Sequence, residues 1–331
     1  MIDSTKSIAT CKDTLVWDAH AGVFPDSNIN LNLLDHWHDH GVNYVSINVG
    51  FDVMDWDQTL KTLAAYRNWL LANSNKFIVA GSVKEIADAK ANGKLAVSFD
   101  IEGMNALNGD INIIVLYPGL GVRQMLFAYN LNNKTAGGCH DKDIGLTPFG
   151  FDVVHEMNRV GLIVDCSHAS YSTTMDIMHV SDKPVVFSHS NPDTIWPHER
   201  NISDDQIKAC AKTDGVIGIN GMGIFLGNNN SSNNTLLRHI DYLAELVETR
   251  HIGLGFDYSP KVDIDIGEIL KSRPDFWPAG NGYDTPDIQH AAPSQLMDLS
   301  TTLQKHGYSD KDIQGIMGEN FKRVATACWG S

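Results

Sequence analysis

Eight short runs of apolar, β-branched and aromatic residues recur along this chain, separated by longer stretches with helical patterning. They are TLVWDAH (14–20), NYVSINV (43–49), KLAVSFDIEG (94–103), RQMLFAYN (123–130), LIVDCSH (162–168), PVVFSHS (184–190), GVIGIN (215–220) and HIGLGFDYS (251–259). Near-continuous apolar strands alternating with helices imply a parallel sheet covered on both faces. Eight such units within about 250 residues fit an α/β fold of the TIM-type (β/α)8 barrel better than a doubly wound sheet. No Gly-x-Gly-x-x-Gly follows the first run, which further weakens a dinucleotide-binding reading. Between the runs, SDDQIKACAKTDG (203–215) predicts a helix with Ser203 as N-cap and Gly215 as C-cap, and TPFGFDVVHEMNRVG (147–161) predicts another. No internal repeat or linker divides the chain. The expectation is one barrel domain over residues 1–331, closed by C-terminal helices at about 291–328.

Bulk properties narrow the function. The chain has 331 residues, 43% of them apolar, and a net charge of −15. A sizeable core can form, while so acidic a surface argues against binding nucleic acid or anionic lipid. No run of eighteen apolar residues predicts a membrane span, and MIDSTKSIATCKD has no apolar signal region. The five cysteines (Cys11, Cys139, Cys166, Cys210 and Cys328) are scattered and odd in number. They suggest neither a disulfide framework nor a thiolate zinc site, so a reduced cytoplasmic protein is expected.

In such a barrel, functional side chains project from the C-terminal ends of the strands. Six of the runs end in residues that an apolar core would not select: His20, Glu102, Tyr129, His168, His189 and Asp257. Any one of them alone would pass as a hydrogen-bonded surface residue. Their recurrence at one rim points to a divalent metal, with Zn2+ best suited to three histidines and a glutamate. Glu102 offers two oxygens that can bridge two ions, and Asp257 is the candidate for proton handling or a further ligand. Asp18, Asp165, Ser167 and Ser188 neighbour these positions and are candidates for supporting the ligands or capping loops. Arg200, in the polar loop SHSNPDTIWPHERNISDDQ (188–206), has the planar fork that grasps a carboxylate.

The pieces FDIEGMNAL, GLTPFGFDVVHEMNRVGLIVDCSHAS, KPVVFSHSNP, RNISDDQI, IGLGFDYS and IMGENFKRV occur in order over nearly the whole chain. They resemble the membrane (renal) dipeptidase family of zinc peptidases, within the amidohydrolase-like barrel group. The resemblance implies a (β/α)8 barrel in which Glu102 bridges two zinc ions, His168 and His189 complete the second-metal site and His20 binds the first. It also implies that Asp257 is the acid/base group, that Arg200 binds the substrate's C-terminal carboxylate, and that the protein is a homodimer.

Two positions depart from the family pattern. The family's first-metal aspartate is Gly22 here, and its substrate-binding histidine is Tyr129, whose hydroxyl can still donate to a developing oxyanion. One well-held ion is therefore expected at Glu102, His168 and His189, with His20 a weak ligand or a polar contact. Pro25 argues against Asp26 folding back as a replacement carboxylate, and Gly22→Asp is expected to raise the affinity for a second ion. The Gly-rich loop AGGCHDKDIGLT (136–147) carries Cys139 and His140; a structural or lid role is favoured, with His140 a candidate substrate contact. The leading expectation is a metal-dependent dipeptidase acting on small dipeptide-like substrates. The competing readings are a single-metal amidohydrolase acting on another small amide or cyclic substrate, and a catalytically silent barrel that acts as a binding protein.

Overall fold

The computed structural model describes residues 14–262, 264 and 266–329. Cys11 lies outside them. Eight parallel strands follow one another around a nearly closed barrel: β1 (Trp17–Ala21), β2 (Tyr44–Phe51), β4 (Leu95–Glu102), β5 (Val122–Leu126), β6 (Ile163–Asp165), β7 (Val185–Phe187), β8 (Val216–Ile219) and β9 (Ile252–Leu254). A ninth, β3 (Phe77–Val79), pairs with β4 at Leu95–Val97, outside this path. The eight predicted runs supply the eight barrel strands; β3 was not anticipated. The join between first and last strands is made by one backbone bond and one bond to a side chain. The Asp257 N–H donates to the His20 carbonyl at 3.0 Å, and Asp18 Oδ1 accepts the Phe256 N–H at 2.9 Å.

Every residue of β2 and β4 is buried. Helices over Trp56–Ala72, Val83–Ala91, Pro148–Val160, Tyr171–Val180, Asp204–Lys212 and Asn233–Val247 alternate with the strands, and their apolar faces pack on the barrel's outside. Inside, alternate side chains of β2 and β4 form a polar ladder instead of the branched aliphatic layers usual in such barrels. Tyr44 bonds Ser98, Ser46 Oγ donates to Asp100 Oδ2 at 2.6 Å, and Asn48 Nδ2 donates to Glu102 Oε2. The ladder climbs through the barrel and ends at the rim.

The helix after β7 begins as expected: Ser203 accepts from the Gln206 N–H, and Gln206 reciprocates to the Ser203 N–H. Its C-cap is Thr213 rather than Gly215, because Asp214 takes the left-handed turn (φ 63°) and Gly215 has already entered the next strand's approach. The helix Pro148–Val160 ends at Gly161 with φ 80°. At the C-terminus, the helix Asn320–Trp329 buries Phe321, Val324, Ala325 and Cys328 against Trp17 and Tyr44 at the barrel's base. Among the described residues no helix is long and apolar enough to cross a membrane.

Candidate metal centre and active site

His20 lies within β1 and Glu102 ends β4. Tyr129, His168, His189 and Asp257 stand two or three residues beyond their strands, in the loops. Two of them, His168 (φ 65°) and Asp257 (φ 52°), adopt left-handed backbone, as does Asn130 (φ 59°). Such backbone costs about 1–3 kcal/mol per residue and persists only where the surroundings hold it. Here they do: the Cys139 N–H donates to the His168 carbonyl at 2.9 Å, and Gly138 packs so closely on Asn130 that a Cβ would sit 2.2 Å from its carbonyl carbon.

The four expected ligands converge. Glu102 Oε1 lies 3.3 Å from His168 Nε2, 3.4 Å from His189 Nε2 and 3.6 Å from His20 Nε2. The two nitrogens His168 Nε2 and His189 Nε2 are 3.0 Å apart, and the His20 ring stacks on His189 with centroids 4.0 Å apart. Zinc ligands about 2.0–2.1 Å from the ion at tetrahedral angles stand about 3.3 Å from one another. The Glu102–His168–His189 triangle has those dimensions. Glu102 turns Oε1 to all three histidines, while its Oε2 accepts from Asn48 Nδ2.

The protonation pattern fits a cation as well. Asn130 Nδ2 donates to the Phe276 carbonyl at 2.8 Å, so Asn130 Oδ1 accepts from His168 Nδ1 at 2.6 Å. His168 Nε2 is then a bare lone pair aimed at Glu102 and His189. Burial, aided by the Arg200 and His20 charges, holds the His168 pKa well below its ordinary value; burial acts likewise on His189. Burial pushes Glu102 up to about 8, against the opposing pull of His20. Burial also works against a charged His20, but Asp100, Glu102 and Asp257 hold its pKa well above normal. His20 Nδ1 stands 3.2 Å from Asp100 Oδ1, yet neither atom makes a well-formed hydrogen bond. His168 and His189 are thus neutral and able to ligate beside a buried carboxylate, and a divalent cation there would take over the positive charge that His20 otherwise supplies to the nest.

Tyr129 stacks on the His168 ring, with centroids 4.4 Å apart, and its hydroxyl accepts from Trp277 Nε1 at 3.1 Å. Burial raises its pKa well above the ordinary value. Asp257 Oδ2 accepts from Asn220 Nδ2 at 3.1 Å, while Oδ1 faces His20 Nε2 at 3.7 Å. A cavity of about 740 Å³ opens above the cluster and is lined by His20, Glu102, Tyr129, His168 and Asp257. Its apolar wall comes from Phe24, Phe51 and the long segment after β9, including Tyr258, Leu270, Trp277 and Ile288.

Arg200 and His140 do not line this cavity. Arg200 is 2% exposed, lies over the Phe225 ring and donates from Nη2 to the His189 carbonyl at 3.2 Å. His140 spends both ring nitrogens, on Glu199 Oε2 at 2.6 Å and the Tyr283 hydroxyl at 2.8 Å, and burial pushes its pKa down to about 4. Both residues stand behind the wall, where they touch His189, Phe225 and Tyr283, and Arg200 Nε has no hydrogen-bond partner there. Asp18 and Asp165 serve as backbone clamps. Asp18 holds Trp37 Nε1 and the Phe256 N–H, and Asp165 Oδ1 accepts the N–H groups of Ser167 and Ser188. Ser188 Oγ bonds His189 Nδ1 at 2.7 Å. An aspartate at position 22, expected to restore a lost ligand, would instead run into Asp257. Asn48, Asn130, Asp100 and Asn220 were not anticipated. Only the two-residue alternation within NYVSINV and LAVSFDIE marks Asn48 and Asp100 as inward-facing.

Comparison with known proteins agrees with this geometry. The chain is 28% identical over 280 residues to one uncharacterized dipeptidase of Schizosaccharomyces pombe and 29% identical over 273 residues to another, in each case over 81% of this chain. It spans 60% and 61% of the lengths of those relatives. An amidohydrolase from Pseudomonas aeruginosa superposes with a TM-score of 0.89 at 27% identity, over 98% of this chain and 99% of its own. A metallo peptidase from Rhodobacter sphaeroides, liganded with a phosphinate mimic of the dipeptide L-Ala-D-Ala, shares the fold with a TM-score of 0.77 at 20% identity, over 96% of this chain and 100% of its own. The family model described as membrane dipeptidase (peptidase family M19) matches residues 38–267. With more than half of its length so matched, and a barrel whose rim brings His20, His168 and His189 around Glu102, the chain belongs to the membrane dipeptidase family of peptidases, M19.

Proposed function

We propose that this protein is a metal-dependent dipeptidase that holds Zn2+ through Glu102, His168 and His189. The observation that carries this reading is the triangle of Glu102 Oε1, His168 Nε2 and His189 Nε2, with sides of 3.3, 3.4 and 3.0 Å and with the His168 lone pair fixed by Asn130. When bound, the ion supplies Lewis acidity and a coordinated water whose pKa falls toward about 7. The chain's own groups do the rest. Asp257, open to the cavity and steadied by Asn220, takes up and returns the proton. The Tyr129 hydroxyl accepts from Trp277 and so keeps its own proton for a developing oxyanion. The apolar wall excludes water and seats the side chains. Support comes also from the dipeptide mimic bound by the Rhodobacter sphaeroides relative. The test is removal of metal by a chelator, followed by Zn2+ addition, with hydrolysis of a dipeptide panel as readout. Activity is expected to vanish and return; hydrolysis indifferent to both steps defeats the reading.

A second reading, an amidohydrolase for a substrate without a free carboxylate, is favoured by one observation: Arg200 is buried behind the cavity wall. Comparing each dipeptide with its C-terminal amide separates the two. Faster turnover of the amides selects the second reading.

A further inference from the structure

Gly22 and Asp257 occupy one space. A Cβ built on Gly22 would lie 2.5 Å from Asp257 Oδ1, 2.8 Å from its carbonyl oxygen and 3.1 Å from its carbonyl carbon. Asp257 as placed therefore requires glycine at position 22, and any larger residue there would push it away. The contact is anchored twice. The Asp257 N–H bonds the His20 carbonyl at 3.0 Å, and its left-handed φ of 52° turns the side chain back over the end of β1. Of its two carboxylate oxygens, Oδ2 is held by Asn220, which leaves Oδ1 facing His20 Nε2 at 3.7 Å. His20 Nε2 in turn is 3.6 Å from Glu102 Oε1, while its Nδ1 lies 3.2 Å from Asp100 Oδ1. Asp100 thus stands behind the far nitrogen, the place from which a carboxylate orients a ligating imidazole once the two are drawn into hydrogen-bond geometry. His20 Nε2 is left turned toward Glu102 and Asp257.

We propose that Asp257 supplies the carboxylate that position 22 lacks, so that His20, Glu102 and Asp257 form a second divalent-cation position beside the one held by Glu102, His168 and His189. The inference rests on the metallopeptidase reading above. It makes the glycine a permissive partner of Asp257 instead of a defect. The separations of 3.6 and 3.7 Å exceed the about 3.3 Å edge of a tetrahedral zinc site by a few tenths of an ångström, within reach of side-chain rotation. Ligation through Oδ1 still leaves Oδ2 to handle a proton.

The test counts ions in the full-length protein. Metal-free protein is titrated with Zn2+ and its stoichiometry read by calorimetry and elemental analysis, for wild type, Asp257→Ala and Gly22→Ala. Wild type is expected to bind two ions. Asp257→Ala is expected to keep the tighter ion within about threefold of its affinity and to lose the weaker by at least about 100-fold, the upper end of what loss of a mere supporting contact produces. Gly22→Ala removes no ligand atom, yet is expected to weaken the same ion, because its methyl group displaces Asp257. A single ion in wild type, or two ions at wild-type affinity in Asp257→Ala, overturns the proposal and leaves the metallopeptidase reading intact. No stoichiometric ion in wild type overturns that reading itself. If Asp257→Ala does not fold, Gly22→Ala decides: retention of both ions at wild-type affinity refutes the proposal.

Discussion

Asn130 shows how much of this centre depends on uncharged side chains. Because its amide nitrogen is committed to Phe276, its oxygen obliges His168 to carry the proton on Nδ1. Asn130→Ala is expected to weaken Zn2+ binding by about 10- to 100-fold, measured by competition with a chelator. An unchanged affinity would mean that something else sets the tautomer. Tyr129 divides into two parts, a ring against His168 and a hydroxyl beneath Trp277. Tyr129→Phe keeps the ring, so its metal content should equal that of wild type while kcat falls about 100-fold. A loss under threefold would assign the residue's work to the ring alone. The charged and imidazole residues of the site were legible from sequence because each stands out at the end of an apolar run. Asn48, Asn130 and Asn220 were not, since an amide in a loop or strand is unremarkable until its partner is known.

Loops at the barrel's mouth are tied together from below, and Asp52 is the knot. It follows β2, and its carboxylate accepts from the Asn105 N–H, the Tyr129 N–H and Asn133 Nδ2, which belong to the loops after β4 and β5. Burial outweighs these bonds and pushes its pKa from 3.8 up to about 6. The folded state therefore binds this proton more tightly than the unfolded chain. The stability it contributes is full below about pH 4 and is lost as pH rises to about 6. In Asp52→Asn the stability-versus-pH curve across that window should shift upward in slope, by at most about 1.4 kcal/mol per pH unit, as followed by denaturant unfolding. A superimposable slope would show that Asp52 does not titrate there. The helix after β7 offers a simpler check: Ser203→Ala removes an N-cap and should cost about 1 kcal/mol. The eight barrel strands were readable because each is an unbroken apolar run bounded by polar residues. β3 was not, because three residues lie below the length at which periodicity speaks. The polar ladder of Ser46, Asn48, Ser98 and Asp100 was hidden by the aliphatic residues between its rungs, which face the outer helices.

Taken as a whole, the molecule places a charged floor beneath a greasy chamber. Phe24, Phe51, Tyr258, Leu270, Trp277 and Ile288 surround the space above the ligands. Dipeptides with bulky aliphatic or aromatic side chains should exceed Gly-Gly in kcat/KM by at least about tenfold, since each well-buried methylene is worth about 1–3 kcal/mol. Equal rates would show that the chamber does not grip the substrate. The long segment after β9 that forms much of this wall carries little regular periodicity, so its role could be recognised only once the chain was folded. The barrel is a hoop whose ends meet where the His20 carbonyl receives the Asp257 N–H, and the residues gathered around that join come from both extremities of the strand order. During synthesis, His20 waits without its neighbour until the last strand has left the ribosome, so the hoop is fastened late and its clasp is the charged cluster itself. Stripping the cation should then loosen the join before any other part of the wall, visible as accelerated amide exchange at Phe256 and Asp257 while β4 and β5 stay protected.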